Sequence, residues 1–153
     1  MKRLILVLLA SLAVLPVLAQ SSECHSAKRI AEAQAHIDAA LQDISADPKR
    51  QMAALDARLS AQAAALGWST ERQRDLRAQA LSSDAYWSFE REKQPHVMAL
   101  SKAVASSSGP DPQTSKCEAA RQVQALAGKL ADINRRQYAQ AARDIGLAKE
   151  AAK

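Results

Sequence analysis

The sequence predicts an all-α protein, a disulfide-stapled antiparallel bundle of four to five helices, and three observations carry that expectation. Alanine fills 34 of 153 positions, while aromatic residues make up 3% and glycine only 4 residues. This composition favours helix and is poor in the β-branched and aromatic residues that strands need. Apolar residues recur at helical spacing through most of the chain, with few of the turn signals of a β-sandwich or barrel. Finally, the chain carries two cysteines, Cys24 and Cys117, behind an N-terminal stretch that reads as an export signal. Nucleotide-binding α/β folds are excluded by the missing strands and glycine-rich phosphate loops.

Lys2 and Arg3 precede the apolar run Leu4 to Leu18, and Val17-Leu18-Ala19 offers a cleavage site before Gln20. This is the pattern of a secretory signal peptide over residues 1–19. The 15 residues of that run reach about 22 Å as a helix, short of the roughly 30 Å of a bilayer core. The mature domain is then residues 20–153, periplasmic or secreted. In an oxidising compartment an even pair of cysteines is expected to join, so Cys24 and Cys117 are assigned to one disulfide. No Cys-x-x-Cys or His-x-x-x-His spacing supports a metal site, and no cofactor is expected.

The first helix is expected from about residue 23 to 45, with Ile30, Ala33, Ile37, Ala40, Leu41 and Ile44 on one face. Asp47-Pro48 should end it and begin a second helix carrying Met52, Leu55, Leu59 and Leu66, closed by Gly67. Ser69-Thr70-Glu71 starts a third, which runs through Leu76, Ala80 and Leu81 into Asp84–Glu90. Pro95 should kink or break it before a shorter fourth helix with Val97, Met98, Leu100 and Val104. Residues 106–115, rich in Ser, Gly and Pro, read as an exposed loop, and the last helix spans about 115–148.

The starts of the first and last helices echo each other. Ser22-x-Cys24-x-x-Ala27-Lys28-x-Ile30 matches Ser115-x-Cys117-x-x-Ala120-Arg121-x-Val123 at an offset of 93 residues. Duplication and chance explain this equally well. Either way each cysteine begins a helix, so a disulfide would tie two helix N-termini together and favour a parallel pair. That suits three long helices plus a broken middle one, or a crossover through the 106–115 loop.

No catalytic constellation is present, and a non-enzymatic protein is expected. His25 and His36 are too far apart to share a proton or a metal, and His96 has no nucleophile in any local pattern. Asp38, Asp43, Asp56, Glu90, Glu92, Asp132 and Asp144 sit among basic residues at helical spacing and read as solvated ion pairs. The net charge of +5 includes Lys2 and Arg3, so the mature chain is near +3. Without interleaved aromatics, and with export, nucleic acid is not an expected partner. An anionic membrane surface stays open, and a protein partner is the favoured expectation.

The candidate partner-binding residues are Trp87, Phe89, Lys129, Arg136 and Arg143. Lys129, Arg136 and Arg143 recur every seven residues and form a basic stripe, diluted by nearby acids. Trp68, Tyr86, Trp87 and Phe89 are four of the five aromatics. Tyr86 and Phe89 share a face, with Trp87 about 100° away, so one side should enter the core and the other can anchor a partner. A binding or chaperone-like interaction protein is the expected function.

Ala46-Asp47-Pro48, then Met52-Ala53-Ala54-Leu55-Asp56 and Leu59, with Trp87 and Arg91 four residues apart, is similar to a family of small exported helical proteins that includes lysozyme inhibitors. The resemblance covers about a third of the chain, and Ser45 and Pro95 stand where that family has cysteines. It implies the alternative function, an inhibitor or immunity protein against a cell-wall hydrolase.

Overall fold

The computed structural model describes residues 26–109 and 112–147. The signal segment 1–19, Cys24, His25 and the end of the expected last helix lie outside the described residues. Four helices and no strand occur among those described: α1 (Ala27–Leu66), α2 (Thr70–Ser82), α3 (Asp84–Ser106) and α4 (Pro112–Asp144). None is long and apolar enough to cross a membrane.

The expected boundary at Asp47-Pro48 is not there. α1 runs unbroken through Pro48 for 40 residues, about 60 Å. Interior proline removes one ladder hydrogen bond and crowds the preceding turn, at a typical cost of about 3 kcal/mol. Here packing overrides it. Ile37 and Ala40 before the proline and Leu55 and Leu59 after it are all buried and pack in clusters that include α4 residues, which keeps both halves in one helix. Pro95 likewise lies inside α3 rather than ending it. Pro95 and Arg91 are both exposed, so water can bond the carbonyl that the proline leaves without a donor.

The middle break falls elsewhere, at Ser83. Its backbone is extended, with φ −66° and ψ 148°, and its Oγ accepts from the Tyr86 amide at 3.1 Å. The same hydroxyl also lies 3.1 Å from Asp144 Oδ2, so the break is anchored to the end of α4. Ser26 and Ser69 cap α1 and α2 in the same way, each accepting a backbone amide at 3.2 Å. α1 closes at Gly67, whose φ of +64° suits glycine, with the Trp68 amide returning to the Ala63 carbonyl at 2.9 Å. The loop expected over 106–115 is shorter, because α4 already begins at Pro112, a residue suited to the first helical position.

Register defines the topology. Asp47 meets Asn134, and Gln62 meets the Gly146 carbonyl, so positions along α1 and α4 rise together. Those two helices are therefore parallel, and the bundle is antiparallel only between them and the returning arm. Ser83 meets Asp144 and Glu92 meets Arg136, so α3 runs against α4. Asp56 pairs with Arg77, folding α2 back along α1. The result is three arms, with α2 and α3 together forming the return arm and α4 serving as the element on which both α1 and α3 pack.

Two apolar clusters hold the arms. The first joins Ala33, Ile37 and Ala40 of α1, Leu100 and Ala103 of α3, and Ala119, Ala120, Val123 and Leu130 of α4, with Cys117 at its margin. The second joins Leu55, Leu59, Ala80, Tyr138, Ala141, Ala142, Ile145 and Leu147. Alanine at the contacts lets helix backbones approach closely and leaves each cluster modest in apolar area.

Candidate functional site

Between the two clusters the interior turns polar. Asp47, Asn134 and Gln137 are buried, although each lies in the run of core positions of its helix. Asn134 Nδ2 donates to Asp47 Oδ2 at 2.9 Å. Lys93 Nζ then donates to Asn134 Oδ1 at 3.1 Å, Gln137 Oε1 at 3.0 Å and Glu90 Oε1 at 2.7 Å. Gln137 Nε2 also reaches Glu90 Oε1 at 2.8 Å and the Tyr86 carbonyl at 3.2 Å. This belt ties α1, α3 and α4 at one level, and no buried side-chain nitrogen or oxygen among the described residues is left unpartnered.

Asp47 had been expected at a helix boundary and Glu90 as a solvated surface acid. Both belong instead to this belt, because tertiary packing turns their helix faces inward. Burial alone would raise the Glu90 carboxyl, but hydrogen bonds from Gln137 and Lys93, with the Lys93 charge, outweigh it and hold the group below the usual glutamate range. Burial, and then the hydrogen bond with Tyr86, pushes the Tyr138 hydroxyl well above its ordinary value. The two rings meet edge to face at 6.1 Å between centroids.

A lowered Glu90 pKa stabilises the fold above the unfolded-state value of about 4.3, and that contribution is lost as pH falls through the lower folded value. Chemical denaturation at a series of pH values should therefore show wild type losing more stability than Glu90→Gln between about pH 5 and pH 3. Parallel curves for the two proteins would mean that Glu90 carries no such coupling.

Beside the belt, a groove of about 510 Å³ opens to solvent between α1 and α3. Ile44 and Pro48 form one wall, Trp87, Gln94, Val97 and Met98 the other, and Leu130 and Asn134 of α4 the floor, with Glu90 and Lys93 at its edge. Its apolar side chains are unusually open: Trp87 is 53% exposed, Val97 47% and Met98 73%. The size and largely apolar lining are those of a ligand or segment site.

The sequence-derived candidates do not gather in one place. Trp87 lines the groove. Phe89, half-buried, points to the other side of α3, where the Arg136 guanidinium lies 5.4 Å from its ring centroid. Arg136 is engaged further with Glu92 at 2.6 Å and Asp132 at 3.0 Å. Arg143 bonds Gln140 on its own helix, and Lys129 is exposed. The basic stripe thus lies on the solvent side of α4, away from the groove. Val97, Met98 and Ile44 are site residues that sequence reasoning assigned only to helix packing, and Pro48 is one that it assigned to a helix boundary. The signal was available in part: Trp87, Gln94 and Met98 share one face of α3, distinct from the face of Tyr86, Lys93 and Leu100.

Among the described residues, no cluster of three or more His, Cys, Asp or Glu side chains could hold a metal ion. No protein-family model, curated protein or solved structure matches this chain.

Proposed function

We propose that the protein is an exported, non-enzymatic binding protein, chaperone-like in mode, whose α1–α3 groove receives an apolar segment of a partner protein. The observation that carries this reading is the exposure of Trp87, Val97 and Met98 on a helix that faces Ile44 and Pro48 across a trough. Exposed large apolar side chains arranged contiguously around a concavity are the usual mark of an interaction site. Export rests on the Leu4–Leu18 pattern and on the cysteine pair. A Cys24–Cys117 disulfide is part of the proposal, supported by the even cysteine pair and by the parallel course of α1 and α4.

Capture from periplasmic extract with the mature chain, run beside Met98→Glu, tests the reading. Proteins retained by wild type and lost with Met98→Glu support it. Retention that ignores Met98 removes the groove as the site. Many apolar clients would mark a chaperone-like role, and one stoichiometric hydrolase the inhibitor role. Trp87→Ala should leave the melting temperature nearly unchanged, because the ring is half in water, yet weaken binding of a retained partner by about 1–2 kcal/mol or more. A loss of about 3–5 kcal/mol in stability, typical of a buried aromatic, would instead make Trp87 a core residue.

A further inference from the structure

Three features of the groove specify its occupant. It runs between two long helices that both pack on α4, so its shape is that of the vacant fourth position of a bundle. The exposed wall of α3 carries Trp87, Gln94 and Met98 over three turns, about 16 Å, which matches two to three turns of a guest helix. The belt beneath has satisfied its own hydrogen bonds, so the floor requires no polar group from the guest.

The rims add a charge preference. Arg91 follows Trp87 by one turn and precedes Met98 by two on the α3 edge, and Lys49 stands next to Pro48 on α1; both are exposed. Neither has an acidic partner among the described residues, whereas Arg29, Arg50, Arg74, Arg77, Arg135 and Arg136 all do. The acids closest to Arg91 on its own helix are already engaged, Glu90 by Lys93 and Glu92 by Arg136. Neither lines the groove itself, but Arg91 lies one turn after Trp87 and Lys49 directly after Pro48, so each helix carries, beside a lining residue, an exposed cation without a counter-charge among the described residues.

From this placement we infer that the groove receives an acidic amphipathic helix of a partner protein, its apolar stripe on Trp87, Val97 and Met98 and its flanking carboxylates on Arg91 and Lys49. The inference rests on the groove-binding reading above and adds the partner's chemistry to it. An amphipathic helix in an apolar groove is a recurrent recognition mode, read by anchors at i, i+3, i+4 and i+7. Opposite charges on the rims set orientation and exclude basic helices.

The test uses two fluorescein-labelled helical peptides of about three heptads, with the same leucine stripe but flanked by glutamate in one and by lysine in the other. Fluorescence anisotropy with the mature protein should show the glutamate peptide binding at least tenfold more tightly. Met98→Glu should abolish that binding and Arg91→Glu should remove the preference, with circular dichroism melts unchanged because both side chains are exposed. Equal binding of the two peptides, or a preference that survives Arg91→Glu, overturns the acidic partner while leaving the groove as a site. Binding that ignores Met98→Glu overturns both readings. Failure of both peptides to bind overturns the helix proposal and leaves the capture experiment to decide the groove. Sedimentation of the protein alone should show a monomer; self-association that Met98→Glu dissolves would make a second copy the occupant and overturn the proposal.

Discussion

Lys93→Met is expected to lower the free energy of unfolding by about 2–3 kcal/mol, read from urea denaturation at pH 7. Methionine keeps much of the volume and the unbranched stem, so the change is one of charge and hydrogen bonding rather than packing. It strips a donor from Glu90, Asn134 and Gln137 together. Gln137 is fully buried, and no water can replace the lost bond without opening the helix contacts. Glu90 keeps about a third of its side-chain exposure, so hydration recovers part of its loss. That is why the expected cost lies below the roughly 3–5 kcal/mol of breaking a fully buried ion pair. Adding Glu90→Leu to Lys93→Met should recover part of the deficit, since an apolar pair leaves fewer orphaned groups than a lone carboxylate. A loss under about 0.5 kcal/mol for Lys93→Met would show that the belt is bonded to water in practice and contributes no net stability.

The polar belt also explains where sequence reading reached and where it stopped. Helix content, the core residues Ile37, Ala40, Leu55 and Leu59, and the helix start at Ser69 were legible because each depends on local spacing or on a single side chain. The starts around Cys24 and Cys117 pointed to a parallel first and last helix, and α1 and α4 run parallel. Asp47-Pro48 misled because its stop signal is local, whereas the α4 surface that overrides it is distant in sequence. The break at Ser83 carried neither Gly nor Pro, only a serine cap. Lys93 sits seven residues from both Tyr86 and Leu100, and Asp47 seven from Ala40, so the belt was visible as polar interruptions in apolar stripes. Nothing in one helix, however, says that those interruptions fall at the same level of three helices. The groove was still less legible. It exists because α1 and α3 pack on α4, and that choice of neighbours is a property of the assembled bundle.

Loss of the proposed disulfide is the largest change expected from a single side chain. Cys117→Ser should reduce unfolding stability by about 4–5 kcal/mol, as estimated from closing a loop of 93 residues in the chain-entropy model. Against a typical total of about 5–15 kcal/mol this is a large fraction, and it matters more where clusters are built from alanine and therefore bury little apolar area. The substitution is nearly isosteric, and Cys117 sits at the margin of its cluster, so lost packing is a small part of the effect. Because the constraint acts mainly on the unfolded chain, helical circular dichroism at low temperature should be retained while the melt moves down by many degrees. Cys24→Ser and reduced wild type should reproduce the same curve, and non-reducing mass spectrometry of the oxidised protein should show the two cysteines linked. Two free thiols in freshly prepared protein, or three curves that coincide with oxidised wild type, would remove the staple and leave the α4 contacts with α1 and α3 to carry the fold unaided.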